Sequence, residues 1–157
     1  MFNNTTNKRM TRQITNDIMM IKPVSFRYNE QTGINNYYQK VLDDLTPDII
    51  QLHALKEFNA FVAKLQDIGV NIIVIDDTKD SDTPDSIFPN NWVSFHENGV
   101  VGIYPMCAKN RRNERRKDVL DFLVEEFSFM IEEIKDFTEF EEYNKFLEGT
   151  GSMVLDR

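Results

Sequence analysis

The period of apolar and polar positions changes repeatedly along the chain, and the changes mark out alternating strands and helices. Ile14 to Lys22 is an apolar run closed by Pro23, which predicts a first strand. Val24 to Asp48 is polar, rich in Asn, Gln and Tyr, and holds no sustained period. A loop of that length inside a compact domain is often functional. Leu55, Phe58, Val62 and Leu65 then recur three and four residues apart, predicting an amphipathic helix over about 49–68 with Gly69 at its C-terminal cap. Val70 to Ile75 is a continuous β-branched run and reads as a buried strand. The turn-rich acidic loop DDTKDSDTPDS follows. Trp92 to His96 and Val100 to Tyr104 are short apolar strands, joined by a hairpin turn at Glu97-Asn98-Gly99 in which Gly99 supplies the positive φ. Leu120, Leu123 and Phe127 form the stripe of a second helix over about 111–128. Phe129 to Ile134 reads as a strand weakened by two glutamates, and Phe137 to Lys145 as a short helix. Gly149 to Gly151 is a turn, and Met153 to Asp156 begins another strand.

From Trp92 onward the order is strand, strand, helix, strand, preceded by a looser strand–helix–strand unit. The fold class is therefore α/β, with weak internal repetition. Residues 1–13 are a polar lead-in of disordered character. No linker-like shift in composition divides 14–157, which is read as one domain. Apolar residues make up 41% and charged residues 28%, the balance of a soluble globular protein. The net charge of −8 argues against nucleic acid or an anionic membrane as partner. Arg111 to Lys117, with five basic residues, is the local exception. No apolar run approaches the ~20 residues of a membrane span. The N-terminus lacks an apolar signal core, so a cytoplasmic location is expected. The single cysteine allows neither an internal disulfide nor a cysteine cluster for zinc.

Three blocks carry candidate chemistry: PDSIFPNNW (Pro84 to Trp92), YPMCAKNRRNERR (Tyr104 to Arg116) and LEGTGSMVLDR (Leu147 to Arg157). A carboxylate such as Asp85 can bind a planar guanidinium through parallel N–H···O bonds. Asn90 and Asn91 are neutral and offer both donor and acceptor, which suits a ureido group. By spacing alone, Pro89-Asn90-Asn91-Trp92 reads first as a turn entering a strand. Arg111 and Arg112, read at the start of a helix, suit the binding of an anion such as a carboxylate. The other reading is a basic face paired with Glu114 and nearby acids. Glu148 precedes a Gly-Thr-Gly turn, yet it is also one more acid in a chain rich in them.

These blocks, in this order, resemble the guanidino-group-modifying enzymes: amidinotransferases, arginine deiminases, dimethylarginine hydrolases and, most closely, citrulline hydrolases. The resemblance runs from Ile14 to Arg157. It implies a pentein-like α/β propeller of five ββαβ-type modules around a central channel, of which this chain would supply roughly half, the first two modules and the start of the next. In dimethylarginine hydrolases the block containing Pro84, Asp85 and Phe88 ends in an acidic pair where this chain has Asn90 and Asn91. That departure favours citrulline over arginine. The resemblance gives Arg111, with Arg112 second, the substrate α-carboxylate. It gives Glu148, in place of the family acid before a glycine, a substrate nitrogen and the orientation of the reacting centre. Asp85, Phe88, Asn90 and Asn91 complete the substrate-binding set. Asn29, Gln31 and Asn36 fall in a segment resembling the N-terminal block of the citrulline hydrolases and stand near the channel mouth, Gln31 as a hydrogen-bonded loop residue.

The family mechanism is covalent thiol catalysis without metal or organic cofactor, and its histidine and nucleophilic cysteine lie beyond the third block. Cys107, His53 and His96 do not occupy those positions. Cys107 is expected to be a half-buried structural thiol. The expected protein is thus the N-terminal half of a hydrolase acting on a ureido or guanidino C–N bond, inactive alone. Its partners would be a small amino-acid substrate and a complementary C-terminal chain or a second copy. The alternatives are a non-catalytic amino-acid-binding or protein-interaction module, or an amidinotransferase proper.

Overall fold

The computed structural model describes residues 15–34, 36–41, 44–148 and 153. The expected lead-in over 1–13, the turn over 149–151 and the strand from 153 lie outside these, except Met153, which is in neither helix nor strand.

The first unit is a parallel strand–helix–strand. Strand β1 (Asp17–Lys22) leads through the one-turn helix α1 (Glu30–Gly33) to helix α2 (Pro47–Asp67) and then to strand β2 (Asn71–Asp76). β1 and β2 pair in parallel, with Met19 opposite Ile73 and Ile21 opposite Ile75. α2 starts where Thr46 caps the Ile49 N–H and Pro47 occupies the first turn, a position that has no intrahelical N–H bond to lose. It stops where Gly69 takes a φ of +88°, a left-handed turn that a Cβ would strain. Its stripe lands as expected, with Phe58 buried and Leu55, Val62 and Leu65 half-buried. The β-branched run is only half covered. Ile73 and Ile75 are buried while Val74 is exposed, because β2 buries only alternate side chains.

The second unit is a ββαβ element. Strands β3 (Val93–Phe95) and β4 (Val100–Ile103) form an antiparallel hairpin. Helix α3 (Lys117–Phe127) crosses over to strand β5 (Glu133–Asp136), which pairs in parallel with β4. Gly99 turns the hairpin at φ +78°, and a Cβ there would lie 2.6 Å from Glu132. The helix expected over 111–128 is two pieces: a 3₁₀ helix at Asn110–Glu114, then α3 from Lys117. Arg115 leaves the helical path at ψ 86° and separates them. The strand expected over 129–134 starts later. Phe129 and Ile131 pack into the core as a connector, and pairing begins where Gly99 O accepts from Glu132 and Glu133 N–H. The helix expected over 137–145 is a 3₁₀ helix at Thr138–Tyr143.

α3 is the wedge between the two sheets. Leu120 joins Trp92, Val93, Val101, Ile103 and Met106 on the β3–β4–β5 side. Val119 and Leu123 join Ile21, Ile73 and Ile75 on the β1–β2 side. Met19, Phe95 and Phe129 touch both clusters, and the Phe95 and Phe129 rings meet edge to face at 5.1 Å. Leu120→Ala and Leu123→Ala should each cost about 2–4 kcal/mol in urea denaturation, and the half-exposed Phe122→Ala under about 1 kcal/mol. Equal losses at all three positions would show that α3 is not seated by this face.

Candidate functional site

One cleft is walled by segments that leave the C-terminal ends of parallel strands. Gln31, Thr32, Asn36 and Gln39 follow β1; Asp85, Phe88 and Asn91 follow β2; Cys107, Ala108 and Arg111 follow β4; Glu148 follows β5. They enclose about 450 Å³, room for an amino-acid-sized ligand. In α/β folds the strand C-termini are where ligands bind, because the loops there converge while the sheet stays rigid.

Asp85 lies at the base of this cleft, buried, with its carboxylate held by side chains from the β1 loop. Asn29 Nδ2 donates to Oδ2 at 2.7 Å, Thr32 Oγ1 lies 3.0 Å from the same oxygen, and Gln39 Nε2 donates to Oδ1 at 2.9 Å. Asn29 is itself fully buried and held by Asn110, whose Nδ2 donates to Asn29 Oδ1 at 2.9 Å. A buried carboxylate without such donors would be strongly destabilising.

Arg111 is buried beside it. Its Nε and Nη2 bind Glu114 at 2.9 and 3.0 Å, Nε lies 3.9 Å from Asp85, and Nη1 lies 3.8 Å from Glu148. Three carboxylates therefore surround one guanidinium. Burial pushes the Glu114 carboxyl from its ordinary 4.5 up to about 7; Arg111 pulls it down, and the charges of Asp85 and Asp77 add to the rise. Glu148 bridges two walls: Oε1 accepts the Cys107 backbone N–H at 3.0 Å, and Oε2 faces Arg111.

A model of the eukaryotic N,N dimethylarginine dimethylhydrolase family matches residues 22–157. The chain belongs to that family. A search of curated proteins found no match. Membership points to hydrolysis at a methylated arginine guanidino group and to a small amino-acid substrate, within the guanidino-modifying enzymes that the three blocks resemble. No helix among the described residues is long and apolar enough to cross a membrane.

Asp85, Phe88, Asn91, Arg111 and Glu148, chosen from three separate blocks, meet in this one cleft. Asn90 and Arg112 are not on its lining. Each is adjacent to a lining residue in a 3₁₀ turn, Pro89–Asn91 or Asn110–Glu114, and successive side chains there diverge by about 120°. Asn90 is exposed and donates to Asn91 Oδ1 at 3.4 Å. Arg112 turns to Met106 O at 3.0 Å and to Glu141 at 3.1 Å. The helix-terminus argument for Arg111 falls away, since α3 begins only at Lys117. The pairing with Glu114 does occur, but buried within the site rather than on a solvated face. Arg115 and Arg116 tie segments together, Arg115 to Glu141 and Tyr104 O, Arg116 to Asp118 and Asp76 O. Cys107 is exposed on the cleft wall instead of half-buried, because the turn after β4 carries it off the sheet.

Thr32, Gln39 and Ala108 are lining residues that the sequence reading did not single out. Gln31 lines the cleft and accepts the Asn110 N–H at 3.1 Å, while Asn29 lies beneath it rather than at its mouth. The run of polar side chains between Asn29 and Gln39 was the available signal, since a loop has little other use for so many.

The folded chain holds the Glu114 proton more tightly than the unfolded chain does. The stability from this group is complete below about 4.5 and is lost as pH rises through about 7. The urea midpoint of the wild-type chain should therefore fall between pH 5 and 8 more than that of Glu114→Gln. Parallel curves for the two proteins would remove Glu114 as the titrating group.

Proposed function

We propose that this chain is the substrate-holding half of a hydrolase that cleaves a ureido C–N bond, with citrulline as substrate, built as part of a pentein-like propeller. The observation that carries the reading is Asn91 on the cleft wall with Asp85 and Glu148, at a position where the resemblance to dimethylarginine hydrolases implies a carboxylate. A ureido group offers N–H donors and one carbonyl oxygen. Asp85 and Glu148 accept from the nitrogens, and Asn91 donates to the oxygen. A carboxylate at 91 would face that oxygen with like polarity, whereas it would suit an all-donor guanidinium. Arg111 takes the substrate α-carboxylate, held at a fixed angle by Glu114. Phe88 flanks the substrate chain.

In the covalent mechanism a thiolate adds to the ureido carbon, and the tetrahedral intermediate expels an amine nitrogen, leaving a carbamoyl thioester for water to cleave. Among the described residues no histidine lines the cleft: His53 is on α2, and His96 Nε2 meets Ser94 Oγ at 2.9 Å. In this reading a complementary segment supplies the nucleophile and the proton-transferring histidine, and the chain is inert without it. A second reading rests on the exposure of Cys107 within the cleft. There Cys107 would be the nucleophile, with Glu148 holding its backbone amide.

Ammonia assays separate the two. The purified chain should release none from citrulline, arginine or agmatine, and Cys107→Ser should change nothing. Release that disappears with Cys107→Ser would establish the second reading instead. For the substrate, titration calorimetry should give citrulline a roughly 5- to 150-fold tighter Kd than arginine, the 1–3 kcal/mol of an unpaired buried polar group. Asn91→Asp should move the preference toward arginine. Equal affinities before and after the substitution would remove citrulline.

A further inference from the structure

Gln39 lines the cleft, and among the described contacts it is the donor to Asp85 Oδ1, so a substrate nitrogen approaching that oxygen meets it. Asn29 is framework: it is fully buried, and its Oδ1 accepts from Asn110 Nδ2 at 2.9 Å and Gln31 N–H at 3.0 Å. Gln39 is differently placed. It ends a turn in which Asn36 Oδ1 accepts the Tyr38 N–H at 3.0 Å and Asn36 O accepts the Gln39 N–H at 3.1 Å. Its neighbours Tyr37 and Tyr38 are 82% and 89% exposed, so little burial is lost if it withdraws.

The chemistry of its contacts is specific. Gln39 Nε2 donates to Asp85 Oδ1 at 2.9 Å, and Gln39 Oε1 lies 2.9 Å from the Thr32 hydroxyl. The opposite orientation of the amide would set its oxygen against a carboxylate oxygen, which is repulsive. The Thr32 hydroxyl has one proton and lies within reach of both Gln39 Oε1 and Asp85 Oδ2. Asp85 and Thr32 therefore read a donor–acceptor edge, H₂N–C=O. The terminal end of a ureido group presents the same edge.

We infer that Asp85 and Thr32 form a subsite for a primary carboxamide or ureido terminus, and that Gln39 fills it as an internal stand-in that substrate must displace. The identity of the natural ligand rests on the citrulline reading above; the subsite rests on the hydrogen-bond geometry. Gln39 then competes with substrate for Asp85, and removing its amide raises affinity rather than lowering it.

The test opens the subsite with Gln39→Ala in the full chain and refills it with acetamide. At about 0.1 M, acetamide should raise the melting temperature of Gln39→Ala by about 2–4 °C relative to N,N-dimethylacetamide, which lacks N–H donors. Wild type should not distinguish the two, and adding Thr32→Val should abolish the response. Titration calorimetry should show citrulline binding about tenfold tighter to Gln39→Ala than to wild type. Should Gln39→Ala not fold, Gln39→Asn retracts the amide by one methylene and takes its place in the comparison. Acetamide and dimethylacetamide acting alike on the variant would overturn the subsite. Weaker citrulline binding by the variant would overturn the stand-in and make Gln39 a positioning residue. An acetamide response without citrulline binding to either protein would keep the subsite and remove citrulline as its ligand.

Discussion

A buried carboxylate has to be satisfied, and Asp85 imposes that requirement on the segments around it. Its donors are Asn29 and Gln39 in the loop after β1, with the Thr32 hydroxyl in reach, and Arg111 approaches from the turn after β4. Leaving such a group unpaired costs more than any one of these hydrogen bonds contributes, so the loops are organised by the penalty as much as by the attraction. The group that makes the cleft chemically useful is thus also the group that holds its walls in register. Arg111 extends the constraint, since its pairing with Glu114 and its approach to Glu148 bring two more carboxylates into the same buried cluster.

The fold makes this arrangement possible by aligning strand ends. β1 with β2 and β4 with β5 pair in parallel, and the segments after all four strands converge on one cleft. α3 keeps the two sheets in a fixed relation by inserting Leu120 into one core cluster and Val119 and Leu123 into the other. Family membership and this geometry agree on a site for a small amino acid. Among the described residues four amide side chains line it, Gln31, Asn36, Gln39 and Asn91.

Much of the secondary structure was legible because it follows local period. The stripe of α2, the β-branched run of β2 and the Glu97-Asn98-Gly99 hairpin all appear where the pattern placed them, within a few residues. The failures share a cause. The apolar stripe that predicts a helix over 111–128 holds only from Lys117, because Arg115 leaves the helical path and pairs with Glu141 across the chain. The strand at 129–134 slid because Phe129 and Ile131 gain more by filling the core than by pairing.

Among the site residues, those carried by compact motifs were found from the chain alone: Asp85 and Asn91 in PDSIFPNNW, Arg111 in NRRNERR, and Glu148 in LEGTG. Sequence determined which charges and amides were available. It did not determine which of two neighbours, Asn90 or Asn91, Arg111 or Arg112, faces the cleft. A 3₁₀ turn sends adjacent side chains in different directions, and only the packing of that turn selects one of them. Nor did it show that Gln39, 46 positions from Asp85, donates to its carboxylate. That contact exists because parallel strands β1 and β2 deliver both loops to the same end of the sheet, a proximity that no local pattern encodes.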